Sequence, residues 1–220
     1  MRRPSTTEVL GTTAVGVTVA VIASEYWGVW RRGSAPLPDE TDDVLGAGAE
    51  AARETVEVAV AGYKASPTRE NAALNLLLSY AITAATVRLS TYSIRTRGSF
   101  GPFRNRAVAG RHIHHYIPGI GLAFLAGGAS VVSRNESLDR WFAVPLGVGA
   151  ALTMDEAALL VELEDVYWSE EGVLSVQATL ATLSLLGALA LGHRAFRRGE
   201  PEVLGPSSGG GDAPDLARAA

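Results

Sequence analysis

Apolar residues fall along this chain in blocks close to bilayer length, set apart by short polar stretches. About 20 apolar residues of helix cross the ~30 Å hydrocarbon layer of a membrane. Five blocks meet or approach that length, at residues 9–30, 72–89, 117–132, 141–163 and 173–192. The pattern predicts an all-α, polytopic helical membrane protein with about five transmembrane helices. A further Ala/Val-rich stretch at 44–63 carries Glu50, Arg53, Glu54 and Glu57. Charges at that density make a crossing costly, so it is expected as an amphipathic connecting helix on the membrane or on the other helices.

Four parts follow from this pattern. Residues 1–30 read as an N-terminal transmembrane anchor, because Tyr26, Trp27 and Trp30 ahead of Arg31-Arg32 form an interfacial belt with a stop-transfer flank. A signal peptide is the alternative, given the basic start and the small residues near Ala23-Ser24. Residues 31–70 form the polar and amphipathic connecting segment, and residues 71–193 a four-helix transmembrane core. Residues 194–220, with Pro201, Pro206, the Ser207–Gly211 run and Pro214, read as a disordered tail. The chain is expected in the cell membrane as a multi-pass protein, with the lipid bilayer as its first partner.

Composition narrows the chemistry. The 220 residues contain no cysteine, which removes disulfides, thiolate ligands and a cysteine nucleophile. The formal net charge of −4 is mild and gives no reason to expect nucleic acid. From Arg88 through Arg111 there are six arginines and no acidic residue, which reads as an irregular loop with the strongest cytoplasmic signal in the chain. In the second block Asn71, Asn75, Ser79 and Thr83 fall four apart and form one polar stripe, suited to hydrogen bonds between helices. Arg88, near the end of that block, is placed to snorkel to the interface or to balance a carboxylate.

Two polar clusters carry the candidate chemistry. His112-Ile113-His114-His115-Tyr116 precedes the third block and holds three of the four histidines. Asp155-Glu156, followed by Glu162, Glu164 and Asp165, lies in the second half of the fourth. Ionisable groups inside spanning segments are expensive and point to function. Asp155 stands twelve residues before Tyr167, about 18 Å along a helix, and so deeper than an interfacial residue. The connection at 133–140 is short, so the third and fourth blocks should form an antiparallel hairpin that puts both clusters on one side of the membrane.

Small residues suggest how that hairpin packs. Gly119, Ala123 and Gly127 form a ridge on one arm, and Ala143, Gly147 and Ala151 on the other. If Ala123 sits beside Gly147, antiparallel counting brings His115 to Asp155. Imidazole and carboxylate ligands suit Zn, Fe or Mn. The candidate ligands are His112, His114, His115, Asp155 and Glu162, with Glu156 as a general base acting on water. Plainer readings stand beside this one: the histidines touch lipid headgroups, Asp155 pairs with Arg88, and Glu164 and Asp165 are the wet end of a helix.

The strings His112–Ile120 (HIHHYIPGI), Leu152–Glu156 (LTMDE) and Leu163–Trp168 (LEDVYW) resemble those of a group of actinobacterial integral membrane proteins with no assigned activity. The resemblance covers about residues 70–195 and implies a membrane location. Membrane desaturases also cluster histidines at membrane ends, but they use several such boxes and this chain has one. No Walker loop, nucleophile elbow or His-Glu-x-x-His helix is present. Whether the chain is an enzyme is left open at this point. Three functions remain: a metal-dependent hydrolase acting on a lipid-like or membrane-confined small molecule, a cation- or proton-coupled carrier, and a non-enzymatic scaffold.

Overall fold

The computed structural model describes residues 6–97, 107–108, 111–112, 116–155 and 170–205. Among them the chain forms six helices: α1 (Thr6–Trp30), α2 (Val44–Ala65), α3 (Thr68–Arg97), α4 (Tyr116–Ser133), α5 (Glu136–Asp155) and α6 (Glu170–Val203). Ahead of α4, a two-residue antiparallel pair sets Ala107 opposite His112 and Val108 opposite Arg111.

Local sequence sets the helix ends. Asp43 caps α2, its carboxylate accepting from the Gly46 N–H at 2.9 Å. Ser66 ends α2 in extended backbone, the conformation favoured before a proline, and Pro67 leads directly into α3. Pro118 falls in the first turn of α4, where its missing N–H costs no helical bond. Between α4 and α5, Arg134 takes a left-handed φ of 47°, and Asn135 Oδ1 accepts from the Ser137 N–H at 3.1 Å. Ser130 Oγ donates to Asp139 Oδ1 at 2.6 Å and closes the expected hairpin.

Among the described residues four helical stretches are long and apolar enough to cross a membrane: Glu8–Trp30, Thr68–Ser93, Tyr116–Ser133 and Val176–Val203. The protein is therefore all-helical with the segment pattern of a multi-pass membrane protein. The expected span at 141–163 is described only as far as Asp155. Two boundaries differ from expectation. α3 continues as helix through Arg97, past Arg88 and into the arginine-rich stretch expected to be irregular. Residues 194–203, expected as part of a disordered tail, extend α6; residues 206–220 lie outside the described set.

The chain divides into two compact units. The larger comprises residues 1–21 and 67–192. Within it α5 is the shared element, with α3 against one face and α4 against another. A Cβ on Gly149 would stand 2.6 Å from both Ala123 N and Gly119 O of α4. A Cβ on Gly147 would meet Ser79 and the Leu76 carbonyl of α3. Two residues apart on a helix means roughly 200° around it, so the two glycines serve opposite neighbours.

The smaller unit comprises residues 22–66 and 193–220. Here α2 buries Ala47, Ala51, Val58 and Gly62. Trp30 packs on Ala47 and Ala51, and Val58 joins Val29 and Phe196. Tyr26 donates its hydroxyl to the Gly48 carbonyl at 3.0 Å. Glu25 of α1 shares a hydrogen bond with His193 of α6, and Arg32, just past the end of α1, forms an ion pair with Glu200. Partners advance by seven residues along both stretches, so the end of α1 with the turn after it and α6 run parallel in this unit. Arg197 also reaches Glu200 at 2.9 Å, and Glu200's hydrogen bond holds the Arg32 pKa above its ordinary value.

Candidate intramembrane polar site

Asp155 closes α5 with its side chain turned to α3, where Arg88 Nη2 lies 2.8 Å from Asp155 Oδ1. The carboxylate side chain is only 12% exposed and the guanidinium side chain 40%. The pairing follows from the face of α5 that Asp155 occupies. Ala143, Gly147, Ala151 and Asp155 recur every four residues, and Gly147 packs on α3. The ridge expected to meet α4 therefore meets α3 instead, and its last member finds Arg88.

The expected register of Ala123 beside Gly147 is corrected to Ala123 beside Gly149. Gly119 and Ala123 of α4 pack on the row that holds Gly149 and Thr153; a Cβ on Gly119 would stand 2.8 Å from Leu152 Cβ and 3.0 Å from Thr153 N. Each row has a glycine at its crossing, Gly147 toward α3 and Gly149 toward α4. The start of α4 is thus beside the last turn of α5. Tyr116, where α4 begins, is therefore at the end of the hairpin where α5 reaches Asp155.

His112 is described by its backbone alone, in the two-residue pair. His114, His115, Glu156 and Glu162 lie outside the described residues, and so does the expected His115–Asp155 contact. Among the described residues no three His, Asp or Glu side chains gather around one point. Of the candidate ligands, Asp155 is the one whose side chain is described.

The polar stripe on α3 acts between helices at Asn75, whose Nδ2 donates to the Arg140 carbonyl of α5 at 2.8 Å. Ser79 abuts Gly147, although its hydroxyl donates within α3 to the Leu76 carbonyl at 3.0 Å. On α6, Gln177 Nε2 donates to the Met154 carbonyl at 3.1 Å and to that of Asp155. These two bonds tie α6 to α5 at Met154 and Asp155. Gln177 Oε1 is buried without a hydrogen-bond partner among the described residues, as is Arg140 Nε.

A cavity of about 270 Å³ adjoins the ion pair, bounded by α1, α3, α5 and α6 within the larger unit. Alanines from four helices form much of its wall, and its polar side chains are Tyr80, Arg88, Asp155, Gln177 and Thr182. Gln177 and Tyr80 were not singled out from the sequence. The available signal was a lone amide, and a lone phenol, inside an otherwise apolar block.

No family model matches this chain, and neither a curated protein nor a solved structure shows significant similarity to it.

Proposed function

We propose that this chain is a five-crossing protein of the cell membrane that hydrolyses a membrane-confined small molecule at a metal-dependent polar site centred on Asp155. The observation that carries the reading is the Arg88–Asp155 pair, which joins α5 to α3, a helix long and apolar enough to cross a membrane. Such groups are retained in membranes for work at substrates, ions or protons. The crossing number draws support from the parallel run of α1 and α6 in the smaller unit, which needs an odd number of crossings between them. α3 and α4 supply two, and α5 supplies the third.

In this reading His112, His114, His115, Asp155 and Glu162 hold one Zn, Fe or Mn ion. The metal would polarise the scissile group and water, and Glu156 would take the proton from the attacking water. Arg88, 2.8 Å from Asp155 Oδ1, would hold the carboxylate in place. The packing of Gly119 on Leu152 and Thr153 favours the assembly, because it draws the start of α4 to the end of α5. The resemblance to actinobacterial membrane proteins over about residues 70–195 belongs to the same proposal.

Metal analysis of the purified protein is the test. Stoichiometric metal that is lost in both His115→Ala and Asp155→Ala supports the reading. Absence of metal in a folded wild type overturns it. The second reading, a cation- or proton-coupled carrier, is favoured by the cavity against the same ion pair. It predicts ion-dependent uptake into liposomes that responds to Glu156→Gln. A protein indifferent in both assays is a scaffold whose polar groups lock helices together.

A further inference from the structure

The cavity beside Arg88 and Asp155 has a shape and a polarity of its own. Ala81, Ala84, Ala85 and Arg88 occupy one face of α3 along its length, a run of about 10 Å at 1.5 Å per residue. Opposite them stand Ala151 on α5 and Ala178 and Ala181 on α6. Small side chains on three helices leave a narrow apolar slot, and the ion pair sits at one end of it. Across the slot, α1 contributes Gly11, Ala14 and Val15. Val15 is 63% exposed, so on that side a single helix separates the slot from the surroundings.

Among the described residues the polar end carries one positive and one negative group in contact, whose charges offset each other. A charged head placed there would gain one partner and face a like charge beside it. A neutral head has no such conflict. Arg88 has five N–H donors and directs one nitrogen at Asp155, which leaves donors for a carbonyl oxygen. An apolar pocket with a few convergent polar groups is the usual form of a small-molecule site.

We propose that this slot binds a single apolar chain bearing an uncharged carbonyl head, a fatty ester or amide, with the head at Arg88 and the chain along the alanines of α3, α5 and α6. The proposal names the substrate class for the membrane-confined chemistry above and rests on that reading.

Photoaffinity labelling in lipid nanodiscs tests it, using a diazirine-bearing fatty amide as probe. Saturable labelling should map to residues 81–85 and 178–182. It should fall at least about tenfold when Ala84→Phe or Ala181→Leu fills the slot, since hydrophobic pockets discriminate by such factors per misplaced group. Gly121→Leu, at a position on α4 with open space around it, should leave labelling unchanged. The fatty acid and the alkylammonium of the same length should each compete at least about tenfold more weakly than the unlabelled amide. If Ala84→Phe does not fold, Ala181→Val with thermal-shift control carries the same comparison. Unsaturable labelling, labelling unchanged in folded slot-filling variants, or equal competition by a charged probe overturns the proposal. Labelling needs neither metal nor turnover. A protein that binds the amide but no metal therefore overturns the hydrolase and upholds the slot, and one that binds metal but no amide does the reverse.

Discussion

Arg88 on α3 and Asp155 at the end of α5 lie 2.8 Å apart, and the guanidinium is the more exposed of the two. That asymmetry makes the pair unequal in what its loss does. Without Arg88, a carboxylate of low exposure loses a charged partner. Without Asp155, a long and half-exposed side chain can swing its charge toward water.

Arg88→Ala is therefore expected to destabilise the protein by about 3 kcal/mol, and Asp155→Ala by about 1 kcal/mol. The double replacement Arg88→Met with Asp155→Leu should recover most of the loss, because apolar pairs of similar volume often replace buried ion pairs at little cost. Unfolding midpoints of the four proteins in one detergent complete the cycle. Equal costs for the two single variants would show that the carboxylate is solvated in a way its low exposure does not suggest.

Gly149 and Gly128 make opposite predictions from the same amino acid. A Cβ on Gly149 would collide with the backbone of α4 at Ala123 and Gly119, whereas one on Gly128 meets open space. Gly149→Ala should cost about 2 kcal/mol by overpacking. Gly128→Ala should be neutral or stabilise by up to about 1 kcal/mol through helix propensity. Thermal unfolding of the two variants side by side settles the register of α4 on α5; a harmless Gly149→Ala would return Gly147 to the α4 interface.

Glu200 is buried, at 7% exposure, between Arg32 and Arg197. Removing either arginine leaves the other in place, so Arg32→Gln and Arg197→Gln should each cost about 1 kcal/mol. The double variant strands the carboxylate and should cost more than the sum, about 3 kcal/mol. Strict additivity in chemical denaturation would mean that the two arginines act independently.

Gly62 and Gly199 bring α2 and α6 into backbone contact in the smaller unit; a Cβ on Gly62 would meet the Ala195 carbonyl, and one on Gly199 the Val58 carbonyl. Gly62→Val should release α2, seen as faster hydrogen exchange across its amides, while α4 amides keep their protection. Uniform loss of protection would show that the two units unfold as one.

Much of the helical framework was legible in residue order. Apolar block length gave α1, α3, α4 and α6, Asp43 and Pro67 bracket α2, and the short connection after Ser133 makes the α4–α5 hairpin. The choice between rows on α5 was not legible, because Gly147 and Gly149 are the same residue on two faces and only three-dimensional contact separates them. For the same reason Asp155 could be assigned to Arg88 or to the histidines, and the side chains described favour the arginine. The reach of α6 past Gly192 was hidden because Arg197, Arg198 and Glu200 look like a polar tail. Their charges are answered by Arg32, Ser66 and one another in the fold, which no local window contains.

The central claim is that the histidine-bearing segment and Asp155 share one end of the bundle. The chain has no cysteine, so spin labels at Ile113→Cys and Met154→Cys report that separation without further engineering. Pulsed dipolar spectroscopy in nanodiscs should give a single distance well below the ~30 Å hydrocarbon thickness. A distance at or beyond that thickness would put the two clusters on opposite faces and contradict the account.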